Sequence, residues 1–171
     1  MARNGEIIER RRIRYEPEPT RFIYHHAAEI PSSAAEALIG SARVQAAEKA
    51  RKEIATLIAA VHGRGKTIVG AGVPGGNARL PKSLGEILTA HSRIHAAEGA
   101  FYRDVLAEAC PLASLAVTRA PERDLWVLAS KAVRCSEDAL REQFVAMGKR
   151  LGPPWGKDQK LATLAAFIAL K

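Results

Sequence analysis

The chain has 171 residues, 47% of them hydrophobic and 26% charged, the composition of one globular domain rather than a disordered chain. Aromatic residues make up only 5%, which argues against an all-β sandwich and for close-packed helices. Lys plus Arg is 26 against 18 for Asp plus Glu, a net charge of +8, and such a surface attracts polyanions.

In chain order, residues 6–26 read as two short strands. Ile7, Ile8, Ile13 and Tyr15 lie in the first, Phe22, Ile23 and Tyr24 in the second. Glu16-Pro17-Glu18-Pro19 between them cannot continue a ladder, so the expectation is an N-terminal β-hairpin within residues 1–30. A long helix is expected over 32–62. Pro31 precedes it, Ser33 and Glu36 have capping-box spacing, and Leu38, Ile39, Ala42, Ala46, Ala50, Ile54, Leu57, Ile58 and Val61 make its apolar stripe.

Thr67 to Val73 reads as a buried strand. A second long helix is expected over 83–109, with Ser83 and Glu86 as capping box and Pro111 as its stop. Leu115 to Arg119 reads as another strand, Pro121 opens a helix over 122–133, and Ser136 caps one over 137–148. A Pro/Gly linker around Trp155 leads to a last helix over 158–170. Strand–helix–strand order implies parallel strands joined by crossovers. The expected fold is therefore a single α/β domain over 1–171, a small mixed sheet (hairpin plus parallel strands) covered by long helices, with 31–171 as its body.

Several groups carry chemistry. His91, His95 and Glu98 stand at i, i+4 and i+7 on one helix face, a spacing that lets two imidazoles and a carboxylate converge on a divalent ion such as Mg or Zn. The alternative is a satisfied hydrogen-bond network. His25, His26 and Glu29 end the expected second strand, where the two imidazoles face opposite sides and only one could join a site. Arg10, Arg12 and Arg14 would share a strand face and track phosphates. Lys149, Arg150, Lys157 and Lys160 flank Trp155, a basic–aromatic mix suited to backbone contact and base stacking. Trp155 reads equally as a structural plug, and Asp158 as an N-cap. Gly70-Ala71-Gly72-Val73-Pro74-Gly75 follows a strand, but no helix starts at its third glycine, so it reads as a turn rather than a dinucleotide fingerprint.

Two cysteines, Cys110 and Cys135, are too few and too far apart for a disulfide framework or a Cys-rich zinc site. Free thiols fit a reducing cytoplasm. The longest apolar run, Leu161 to Leu170, is about half a membrane span. The expectation is a soluble cytoplasmic protein without a targeting segment.

Residues 66–171 resemble the ribonuclease H-like superfamily, in its Holliday-junction resolvase branch. The likeness lies in Ile68-Val69-Gly70-Ala71-Gly72, in Ala97-Glu98-Gly99-Ala100-Phe101, in Leu115-Ala116-Val117-Thr118-Arg119-Ala120-Pro121-Glu122, and in the alanine-rich helix from Asp158 to Leu170. The resemblance implies a metal-dependent nuclease that holds two divalent ions with carboxylates. It places a catalytic Asp at the start of the last helix, at Asp158. Residues 6–26 contain no Asp, so the family's first carboxylate has no counterpart. The implied function is a nucleic-acid-associated protein whose site is either rewired around Glu98, His91, His95 and Asp158 or inactive. Two other readings stand beside it: a small-molecule or metal-binding enzyme that uses the His91/His95/Glu98 face, and a structural protein whose long helices form a homo-oligomer.

Overall fold

The computed structural model describes Met1, residues 5–15 and residues 22–170. Its elements are α1 (Ile23–Ala28), α2 (Ser32–His62), β1 (Ala71–Gly75), α3 (Leu84–Leu88), α4 (His91–Leu112), β2 (Val117–Pro121), a 3-10 turn (Glu122–Asp124), α5 (Leu125–Val133), α6 (Glu137–Leu151) and α7 (Lys157–Ala169). It is a mostly helical α/β protein whose sheet, among the described residues, has two parallel strands, with Ala71 opposite Val117 and Gly75 opposite Pro121.

The expected N-terminal hairpin does not form among the described residues; its turn, Glu16 to Pro19, lies outside them. Residues 6–15 carry no strand and are anchored by side chains instead. Arg64 donates to the Ile8 carbonyl at 2.6 Å and pairs with Glu9 at 2.7 Å. Arg10 donates to the carbonyls of Leu151, Gly152, Pro153 and Pro154, the closest at 2.7 Å. Tyr15 stacks on Tyr102 with ring centroids 4.7 Å apart. The expected second strand is helix α1, because its buried residues, Ile23 and Ala27, are four apart. That is helical spacing; strand spacing would bury alternate residues.

α2 has the expected bounds. Its buried stripe of Ala35, Ala42, Ala46, Ala50, Ile54 and Val61 lets α4 approach closely with Phe101, Val105 and Ala109. The Ser33–Glu36 capping box is absent, because the helix already starts at Ser32 and Pro31 is the cap. The expected helix over 83–109 is two helices. Ser83 caps α3, and Thr89 then donates its hydroxyl to the Glu86 carbonyl at 2.8 Å. Ala90 is extended, with φ −136° and ψ 122°, so the chain turns and restarts at His91. Pro111 sits in the last turn of α4 rather than beyond it. The two strands each lie a few residues later than expected, at 71–75 and 117–121. Ser136 caps α6, accepting from the Ala139 amide at 3.1 Å.

The sheet lies between two apolar cores. Ala71 and Val117 face the core of α1, α2 and α4. Ala120 faces the core of α5, α6 and α7, built around Leu125, Leu140, Phe144 and Leu164. Successive residues of a strand point to opposite faces, so Gly72 turns toward α7. A Cβ on Gly72 would lie 2.1 Å from the Ala165 carbonyl oxygen, so only glycine lets helix and strand meet here.

Replacing Gly72 by Ala is therefore expected to lower stability by about 3 kcal/mol. Gly40→Ala, on the open side of α2 where nothing lies within 4 Å of a new Cβ, is expected to raise it by about 0.5–1 kcal/mol. Urea denaturation of both variants checks the pair; coincident midpoints for Gly72→Ala and the parent chain would contradict the close approach.

Candidate metal centre

α4 presents His91 and His95 one turn apart, and Glu98 about one turn further on. α1 packs against this end of α4 and brings in His25, so that one donor atom each from His25, His91 and His95 lies within 4.8 Å of the others. The ring centroids are 4.3 Å apart for His91 and His95, 4.7 Å for His25 and His95, and 5.4 Å for His25 and His91. His25 is half-buried, and His91 and His95 are exposed, so the group opens to solvent on one side.

Glu98 organises this cluster from below. It is only 8% exposed. Its Oε1 accepts from the Tyr24 amide at 2.7 Å, from the His25 amide at 3.3 Å, and lies 3.3 Å from His25 Nδ1. Tyr24 and His25 are the second and third residues of α1, and their amides are among the orphan donors every helix start leaves open. Phe22, at the N-cap, offers no side-chain cap. A carboxylate distant in sequence thus caps α1, and its negative charge suits the positive end of the helix dipole.

The same contact sets the chemistry of His25. When Nδ1 carries the proton and donates to Glu98, Nε2 is left with a free lone pair. This is the carboxylate–imidazole arrangement that orients metal-ligating histidines. The Nε2 atoms of His91 and His95 are 2.8 Å apart. At that distance only a single proton fits between them, one ring donating and the other accepting. Zinc–nitrogen bonds of about 2.0–2.1 Å place tetrahedral ligands about 3.3 Å from one another. The three donor atoms lie within 4.8 Å of one another, so binding an ion would draw them closer together. An all-imidazole set suits zinc and its transition-metal neighbours, whereas Mg requires oxygen ligands.

The residues singled out in the sequence separate spatially. His91 and His95 belong to the cluster; Glu98 supports it through His25 and is not one of the three grouped donors. His26 is half-buried in the last turn of α1, and Glu29 is its exposed C-cap. Asp158 lies in the first turn of α7, behind the N-cap Gly156; its charge acts on Arg103, and it is not one of the three grouped donors. Arg10 is committed to the 151–154 carbonyls. Trp155 is the plug: its Nε1 donates to the Phe144 carbonyl at 2.9 Å, and its ring fills the space left by Gly148. Lys157 pairs with Glu122 at 2.6 Å. Arg12, Arg14, Lys149 and Arg150 are exposed, and Lys160 is half-buried. His25 is the residue the sequence underweighted. The signal that reveals it is the i, i+4 spacing of Ile23 and Ala27, which makes this stretch a helix.

No family model, no curated protein and no solved structure matches the chain. No helix among the described residues is long and apolar enough to cross a membrane.

Tyr102, one turn beyond Glu98 on α4, has its phenol pushed up to about 12, first by burial, then by the Glu98 charge and Tyr15. Its ordinary value is near 10. Below that value the phenol is neutral in both folded and unfolded chains, and its contribution to stability is intact. Between pH 10 and about 12 only the unfolded chain ionises, so that contribution is lost as pH rises. The parent chain should therefore lose more stability over that window than Tyr102→Phe, as read by denaturation midpoints at stepped pH; parallel losses would contradict it.

Proposed function

We propose that this protein binds one transition-metal ion of the zinc class through His25, His91 and His95. The observation that carries the reading is the carboxylate behind His25. Burying a charge is costly unless an opposite charge answers it, and Glu98 Oε2 is buried with no partner among the described residues. In the tautomer with its proton on Nδ1, the imidazole answers Oε1 with a hydrogen bond and leaves Oε2 without a partner among those residues. A divalent ion on the other nitrogen of His25 supplies the missing positive charge through the ring. Three protein ligands leave a fourth position for water or a substrate oxygen, the pattern of catalytic rather than structural zinc sites. An ion held this way polarises carbonyl or phosphoryl oxygens. The exposed side of the cluster gives a substrate access.

Titration calorimetry on the untagged chain should show one equivalent of Zn²⁺ bound. Affinity should weaken in acid, because each imidazole must give up its proton. Thermal stability should rise with free metal, by about 2.7 kcal/mol at a hundredfold excess over Kd. His25→Ala, His91→Ala and His95→Ala should each abolish the effect, and Glu98→Gln should weaken binding about 10–100-fold. His26→Ala, on the same short helix, should leave it unchanged. Equal zinc binding by the parent chain and the three ligand variants would overturn the reading.

A second reading is supported by the net charge of +8 and by the resemblance to the ribonuclease H-like superfamily: association with nucleic acid. Arg12, Arg14, Lys149 and Arg150 are the exposed cations that would make phosphate contacts. Fluorescence anisotropy against single-stranded, duplex and four-way-junction DNA should then show binding that weakens steeply with salt. Replacing Lys149 and Arg150 with Ala should reduce the slope of log K against log salt by about two. Absence of binding at low salt would make the charge incidental.

A further inference from the structure

The carboxyl ends of the two parallel strands carry a feature that the metal reading does not use. Arg103, on α4, is half-buried there, and its Nε is buried with no acceptor. No hydrogen bond or ion pair to its guanidinium exists among the described residues. The group lies in a cradle made by two glycines. A Cβ on Gly76 would stand 2.9 Å from Nη2, and one on Gly99 would stand 3.0 Å from Nη1 and 3.1 Å from Nη2. Any side chain at either position would press on the fork.

The surrounding charges are mostly committed elsewhere. Asp104 pairs with Arg119 at 2.7 Å, and Glu122 pairs with Lys157 at 2.6 Å. Arg123 lies beside Asp124, and its amide donates to the Asn77 side chain. Asp158 acts on Arg103 at a distance, without an ion pair between them. Burial is the largest influence on the Arg103 guanidinium and lowers its pKa; Asp104 opposes this and Arg119 adds to it. A guanidinium presents a planar fork of donors shaped for an oxyanion. The last sheet pair is Gly75 with Pro121, so the amides of Gly76 and Asn77 lie beyond the ladder. In open α/β sheets, ligands enter outside the carboxyl ends of the strands.

We propose that Arg103, framed by Gly76 and Gly99, binds the phosphoryl group of a small phosphorylated ligand at the carboxyl ends of β1 and β2. The guanidinium takes two of its oxygens, and the Gly76–Asn77 segment supplies amides for a third. A carboxylate has only two oxygens and leaves those amides unused. Asp104 and Glu122 also act on Arg103 but are paired with Arg119 and Lys157, so Asp158 is the anion left to compete with the ligand. The site is independent of the histidine cluster.

The probe is inorganic phosphate, titrated into the full chain at constant ionic strength set with chloride and followed by ³¹P NMR and calorimetry. Saturable one-to-one binding is expected, with acetate at least tenfold weaker. Arg103→Met should weaken phosphate binding at least tenfold. Arg103→Lys, which keeps the charge and the stem but lacks the fork, should fold as the parent does and weaken binding several-fold. Asp158→Asn should tighten it several-fold. Zinc binding should be unchanged in all three. Phosphate binding by Arg103→Lys and Arg103→Met equal to the parent's would overturn the proposal. So would acetate binding as tightly as phosphate. A third contrary outcome is loss of thermal stability in Asp158→Asn without tighter phosphate binding, because Asp158 would then be a structural partner of Arg103.

Discussion

A carboxylate taken out of water must find its compensation inside the protein, and the way Glu98 finds it shapes this end of the molecule. Its Oε1 holds two amides at the start of α1 and one ring nitrogen of His25. A six-residue helix is far too short to be stable alone. α1 persists because its first turn is capped by a charged acceptor and because Ile23 and Ala27 are fully buried, Ile23 in the core shared with α2 and α4. Removing the carboxylate would uncap the helix and loosen the hold on the third histidine. The cap of α1 and the hydrogen bond to the His25 ring therefore rest on the same atom.

The rest of the body is organised by a second constraint, the distance between layers. The two strands are too few to make a sheet with a core of its own. They act as a partition between two helical cores, one of α1, α2 and α4 and the other of α5, α6 and α7. Small residues set the spacing: alanines on α2 toward α4, and Gly72 against the backbone of α7. The N-terminal segment then runs across both cores, with Tyr15 on Tyr102 at one side, Arg10 on the 151–154 loop, and Gly5 beside Phe167 and Met147 at the other. It is fastened by side chains rather than a strand ladder, which is why its apolar residues, Ile7, Ile8, Ile13 and Tyr15, suggested a strand that does not form.

Nearby residues on one helix can do unrelated work. His91, His95 and Glu98 serve the face toward α1, whereas Gly99 and Arg103 serve the strand ends. The capacity of α4 to reach both follows from its length of 22 residues, about 33 Å, and from its start at His91. Had the helix run unbroken from Ser83, the break at Thr89 and Ala90 would not have placed His91 in a first turn beside α1. The residues that suggested a polyanion surface illustrate the converse. Arg10, Trp155 and Lys157 look like a polyanion surface in sequence, yet each is engaged in holding the 151–157 region together.

Local physics was legible in the residues themselves. The bounds of α2 follow from its stripe of small apolar residues and from Pro31, and the Ser136 cap and the last two helices follow from side chains within a few positions of the backbone they serve. The α/β alternation and the pairing of His91 with His95 were readable for the same reason, since helical spacing alone puts them together. What depended on distant partners was not. Residues 23–28 carry a local helical signal in the spacing of Ile23 and Ala27, but the cap that holds the helix comes from Glu98, 74 residues from Tyr24. The gathering of His25 with His91 and His95 needed α1 to dock on α4, and the isolation of Arg103 needed two glycines 23 positions apart to frame it. Hydrogen bonds within a turn are encoded by neighbours, whereas compensation of a buried charge is decided only when the layers close around it.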